Sequence, residues 1–314
     1  MRALRALAGC VLAASLHPAQ AEQACPLAWT TGEPMPVYAG NLGCDPIGKY
    51  YAARRSAQPD WQGVHRCAVA TGDDAVLMMM HANGYGVPRD LDRAMRHARC
   101  VATSPAELQG RQAHLLRMAA GADGKPFDLC DDITSGGMKQ FCAQIAETGA
   151  APERAAAFAA LEATFTDAQH ARFAALREAA AEYGRLAGET AWDDTGFDRP
   201  ALLIAVPTAV LGELLADVRD AEQGKPPAPG DLAAADAALN DAHARMMALE
   251  TDPDHGIQFS GVMPAAVEKT RRALAAYRDA WVAFAQARYP AVPAAAWQAR
   301  LAQRHTARLL PWLR

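Results

Sequence analysis

Residues 143 to 314 contain no cysteine, whereas the first 142 residues hold all seven in the chain. That absence excludes disulfides and thiolate metal sites from the second half, which must rely on an ordinary apolar core. Alternating Val/Ile/Thr runs are nearly missing too, and with abundant alanine this points to an all-α chain. Beyond the first residues we find no apolar run of the roughly 20 residues needed to cross a bilayer, so no transmembrane segment is expected. There is no H-E-x-x-H, no G-x-S-x-G, no phosphate-binding glycine loop and no C-x-x-C pair. No catalytic, cofactor-binding or metal-binding residue is therefore assigned, and an enzyme is not expected. Basic charge does not dominate either: 31 Lys and Arg against 35 Asp and Glu give a net charge of −4, which argues against a nucleic-acid binder.

What is present begins with an export signal. Arg2 and Arg5 form a basic n-region, Leu7 to Leu16 is small or apolar, and Ala19-Gln20-Ala21 is a small-x-small cleavage site. Residues 1–21 are expected to be a signal peptide, with the mature chain starting at Glu22 in the periplasm or outside the cell. Cleavage removes two arginines and Cys10, leaving a net charge of −6 and six cysteines, an even number suited to an oxidising compartment. Leu7-Ala8-Gly9-Cys10 also matches a lipoprotein box, the alternative in which lipidated Cys10 anchors the protein to a membrane. The mature length suits two domains, 22–150 with the cysteines and 151–314 without.

Residues 73 to 102 read as a helix, a glycine turn and a second helix. Gly84 and Gly86 give the turn its freedom, Pro88 and Asp90 suit the next helix start, and Leu91, Ala94 and Ala98 recur at helical spacing. Gly84, Gly86, Val87, Asp90 and Ala94 match a G-x-G-V-x-x-D-x-x-x-A pattern, and the segment resembles the tetratricopeptide-related SEL-type repeat. The resemblance implies either a protein-binding concave surface or a scaffold that packs only its own neighbours. Cys67 and Cys100 fall near equivalent ends of successive repeat-like units, so they are expected to pair. Cys130 and Cys142 flank a Thr-Ser-Gly-Gly turn that brings them together, and Cys25 and Cys44 then remain for each other. Six cysteines allow fifteen connectivities, so order and turns alone carry this assignment.

From Ala151 onward the apolar spacing is that of amphipathic helices packed as an antiparallel bundle. Phe173, Leu176, Ala180, Tyr183 and Ala187 form one stripe; Leu232, Ala235, Leu239, Ala242, Met246 and Leu249 a second; Leu274, Tyr277, Trp281 and Phe284 a third. A further helix is expected between Pro200 and Gln223, followed by a GKPPAPGD linker whose Asp231 caps the next helix. The pairing of residues 238–249 with 271–284 resembles the lysozyme-inhibitor LprI N-terminal-like family. Leu239 and Asn240 match its L-N helix start, and Arg272, Tyr277, Arg278 and Asp279 match its second helix, while Arg271 and Leu274 depart from it. The likeness covers about residues 232–312 and implies binding to a lysozyme.

The individual residues carry structural expectations. Tyr277 and Trp281 read as core aromatics; His243 and His255 read as core or solvated histidines without a metal partner. Arg278 and Asp279 project about 100 degrees apart, so a buried Arg278 needs a carboxylate from another helix. Charge separates more sharply: residues 152–263 hold 8 Lys/Arg against 19 Asp/Glu, and residues 264–314 hold 9 against 2. Either basic helices neutralise acidic ones locally, or an outward acidic surface attracts a cationic partner such as a lysozyme. Two acidic loops are the partner-binding candidates, one with Asp193 and Asp194, the other with Glu250, Asp252 and Asp254. Two functions follow, an exported lysozyme inhibitor or an envelope scaffold that binds protein through its repeat-like half.

Overall fold

The computed structural model describes residues 43–191, 193, 196–248, 262 and 264–313. Among them there are helices and no strand, so the chain is all-α. Five short helices come first: α1 (Pro46–Arg55), α2 (Trp61–Thr71), α3 (Asp74–Asn83), α4 (Leu91–Cys100) and α5 (Pro105–Ala119). Each starts where a side chain can satisfy an orphan amide. Asp45, Asp60, Asp73, Asp90 and Ser104 accept the N–H of Gly48, Gly63, Val76, Arg93 and Glu107 in turn. Their core gathers Tyr50, Val64, Val76, Met78, Met79, Met80, Ala94 and Phe127. Gly86 lies at φ 69°, and a Cβ there would fall 2.5 Å from Trp61 Cβ, so the turn before α4 admits only glycine without a shift of α2.

Six longer helices follow: α6 (Gly136–Glu162), α7 (Asp167–Glu189), α8 (Arg199–Glu222), α9 (Leu232–Ala248), α10 (Pro264–Arg288) and α11 (Ala294–Leu309), closed by a 3-10 turn. Their own core contains the stripes read from sequence apart from Leu249, which lies outside the described residues, with Phe173, Leu176, Leu239, Tyr277, Trp281 and Phe284 buried together, Leu232 packed at the edge, and Trp297 joining them. Hydrogen bonds fix the helix directions. Arg172 donates to Ala283 O at 2.8 Å while Thr270 donates to Leu186 O at 3.1 Å, so α7 and α10 run antiparallel. Asp231 caps α9 by accepting the Ala234 N–H at 3.0 Å.

The expected division after residue 150 falls inside α6, a continuous 27-residue helix with Pro152 in its interior. Its first turns pack Met138, Phe141 and Ile145 on the first core, and Phe158 belongs to the second. Two apolar cores are thus joined by one shared helix.

The disulfides correct part of the cysteine assignment. Cys130 bonds Cys142, as the intervening turn implied, but Cys67 bonds Cys44 rather than Cys100. Cys44 therefore does not pair with Cys25, and Cys100 is disulfide-bonded to a partner outside the described residues. Equivalent positions in sequence do not meet because α2 and α4 have different neighbours. α2 packs mainly on α1 and α3, and α4 on α3 and α5, so Cys67 faces the start of α1 with a Cα–Cα distance of 6.1 Å.

One helix bears on membrane crossing. α8 is long and apolar enough to span a bilayer by length and composition, with a mean hydropathy of 1.9, so one such stretch does exist. Packing accounts for part of this apolarity, since a third of the apolar window is buried. α8 lies between α6 and α7, and it carries Asp217 at 2 % exposure bound to two arginines. Gly184 and Gly188 of α7 let it approach closely, since a Cβ on Gly184 would sit 3.0 Å from Pro207 Cα.

Candidate partner-binding groove

α5 is the last helix of the short stack, and the chain then leaves through residues 120–135 to start α6. Among the described residues no helix packs on the far side of α4 and α5. α4 turns Ala94 and Ala98 inward, which sets Leu91 and Met95 one turn apart on the side toward α5. α5 adds Leu115, Ala119 and Leu116, the last 62 % exposed. These residues line a groove of about 270 Å³ with Gln112, Asp92 and Arg99 on its rim. An apolar floor with a few polar groups at its edge suits the apolar side of another protein's helix or loop.

The acidic candidates fare differently. Asp193 is buried at 6 % exposure, and its Oδ2 accepts the N–H of Asp198 at 2.9 Å and of Arg199 at 2.8 Å. It is the anchor of the α8 N-terminus, not an outward acid, because the amides at a helix start attract a carboxylate. Asp194, Glu250, Asp252 and Asp254 lie outside the described residues. The family-pattern residues divide between core and surface. Leu239 and Tyr277 are buried, with Tyr277 accepting from Trp281 Nε1 at 3.1 Å and stacking on Tyr183. Asn240, Arg272 and Asp279 are exposed, and Arg272 lies 3.6 Å from Glu268. Arg278 finds the carboxylate that the sequence demanded on α9, at 2.8 Å from Asp236.

Part of the charge asymmetry is neutralised between helices. Asp217 receives Arg300 at 2.5 Å and Arg304 at 2.5 Å, Arg308 reaches Glu213 at 2.6 Å, and Arg288 reaches Glu222 at 2.9 Å. Of the two explanations left open by composition, local compensation accounts for these pairs. Sequence reading missed the clamp, although Arg300, Arg304 and Arg308 recur every fourth residue and so form one cationic row on α11.

Two buried polar clusters were also missed. Glu107 accepts the N–H of Thr134 at 2.9 Å and of Ser135 at 2.7 Å, the Ser135 hydroxyl at 2.8 Å and the Thr103 hydroxyl. Burial opposes its charge, but those donors outweigh burial and hold its pKa down at about 2. Arg111, fully buried, lies 3.9 Å from Glu107 and its guanidinium makes no hydrogen bond. In the bundle, Tyr183 Oη and His305 Nδ1 lie 2.9 Å apart, with the His243 ring 5.2 Å from that of His305. Burial, then His243 and Arg308, lower the His305 pKa to about 3, so the ring is neutral. Among the described residues no group of three His, Cys, Asp or Glu side chains is placed to hold a metal ion. Comparison of the chain with family models, curated proteins and solved structures finds no match.

Proposed function

We propose that this is an exported envelope protein that acts by binding another protein, as a scaffold or adaptor, rather than by catalysis. The observation that carries the reading is the apolar groove between α4 and α5, where Leu116 is exposed beside Leu91 and Met95. The disulfides support export, since such bridges persist in oxidising compartments. The partner docks an apolar segment on the groove, so Leu116→Glu or Met95→Glu abolishes binding while leaving the helical circular dichroism of the whole chain unchanged.

A second reading, an inhibitor of a cationic lysozyme, is favoured by the way the family-like residues assemble. Leu239 and Tyr277 share one core, and Arg278 ties α10 to Asp236 of α9. The ion pairs of α8 and α11 reduce the acidic surface available for steering, so this reading depends on the loop of Glu250, Asp252 and Asp254. A lysis assay on peptidoglycan with lysozymes of several classes at low salt separates the two. Inhibition that fades as salt rises supports the inhibitor, because the Debye length shrinks from about 30 Å at 0.01 M to about 8 Å at 0.15 M. No inhibition at micromolar protein leaves the adaptor.

A further inference from the structure

We propose that the Cys130–Cys142 bridge is a thiol–disulfide exchange site, open to a dithiol reductant through the cleft between α1 and α6. The α6 face that lines this cleft repeats at helical spacing as Cys142, Ile145, Ala146, Gly149 and Glu153, and the cleft encloses about 470 Å³. Both sulfur-bearing residues are half-buried and line this cleft; in the other described bridge Cys44 is half-buried too, but Cys67 is 6 % exposed. Access separates labile bridges from inert ones.

The cleft is also cationic at the right place. Arg54 and Arg55 lie on its wall. Gly149 lets Arg55 settle against α6, since a Cβ there would stand 2.8 Å from the Arg55 guanidinium. Asp128 and Glu153 are the opposing charges; Asp128 is held in an ion pair by Arg54 and accepts the Tyr51 hydroxyl at 2.7 Å. The Tyr51 hydroxyl is also 3.9 Å from Cys130 Sγ. Arg55 lines the cleft through which an anionic reductant thiolate enters, so its charge favours that approach.

The exchange balances as follows in atoms and electrons. A reductant thiolate attacks Cys142 Sγ and forms a mixed disulfide, the Cys130–Cys142 bond breaks, and Cys130 leaves as a thiolate. The reductant's second thiolate attacks its own sulfur in the mixed disulfide and releases Cys142. Two electrons pass to the protein, the reductant ends as a disulfide, and its two protons go to the protein thiolates. Opening the bridge releases the start of α6 from the segment before it. Met138, Phe141 and Ile145 still pack on the first core, and Glu107 still binds Thr134 and Ser135, so the fold survives. The bridge thus adjusts how stiffly the shared helix joins the two cores.

The test is stepwise reduction of the folded full chain with dithiothreitol, quenched by alkylation and mapped by mass spectrometry. The expected first product carries two labels, on Cys130 and Cys142, with circular dichroism retained. Arg55→Gln is expected to slow that step by roughly threefold or more through loss of the neighbouring cation. First opening of the Cys44–Cys67 bridge or the Cys100 bridge, or release of all thiols together with loss of helicity, overturns the proposal. An unchanged rate in Arg55→Gln overturns the electrostatic part.

Discussion

Glu107 and Arg111 illustrate how one residue can fix a whole turn. Glu107 accepts hydrogen bonds from Thr103, just before α5, and from Thr134 and Ser135, just before α6, and Arg111 is buried beside it without hydrogen bonds of its own. Removing the carboxylate's charge leaves Arg111 as an uncompensated buried cation and turns an amide N–H₂ toward Thr103. Glu107→Gln is therefore expected to cost about 3–5 kcal/mol, read from urea unfolding of the oxidised protein. His305 acts in a different pH window. Its folded pKa is depressed to about 3 from 6.5, so the native ring stays neutral while the unfolded chain takes up a proton below 6.5. Stability from this group is intact above pH 6.5 and falls by about 1.4 kcal/mol per pH unit on acidification toward 3. His243 and His81, lowered first by burial, add the same sign. Glu107 adds its own loss only below 4.5, as pH falls toward its folded value of about 2. Between pH 7 and 5, His305→Gln should remove about 2 kcal/mol of the wild-type stability loss, measured as the change in unfolding free energy. An equal loss in wild type and variant would place the pH sensitivity elsewhere.

At the scale of elements, the helices of the second half were legible because their stripes repeat over many turns. Phe173 to Ala187 and Leu274 to Phe284 lie in the core that their spacing implied, and Asp231 begins α9 as its linker position implied. The helix, turn and helix at residues 73–102 were legible through Gly84, Gly86 and Asp90, which a turn and a cap require physically. What sequence spacing could not give is which helix faces which. Cys67 was assigned to Cys100 from equivalent positions, yet the neighbour of α2 is α1. Asp193 read as an exposed loop acid, yet the amides of Asp198 and Arg199 draw it inward. The groove between α4 and α5 was invisible for the same reason, since Leu116 looks like any other residue of an apolar helix until its neighbours are known. Close approach is also an element-scale property. Gly184→Val puts a branched side chain against the Pro207 backbone and should cost roughly 1–3 kcal/mol, measured by thermal unfolding, because neither helix can yield locally.

On the scale of the whole molecule, two cores share α6, one bound by disulfides and one by interhelical ion pairs around Asp217 and Glu213. The two parts offer different means of action, an apolar groove at the end of the short stack and a surface whose charges are partly paired. The central claim is that the groove carries the function. Its most direct test is chemical crosslinking of the full mature chain in envelope preparations, comparing wild type with Leu116→Glu and with Leu203→Glu, a control on the exposed side of α8. The account predicts one specific crosslinked protein with wild type and the control, absent with Leu116→Glu, and equal helical content in all three. The same crosslink retained by Leu116→Glu, or lost only in the α8 control, would contradict it.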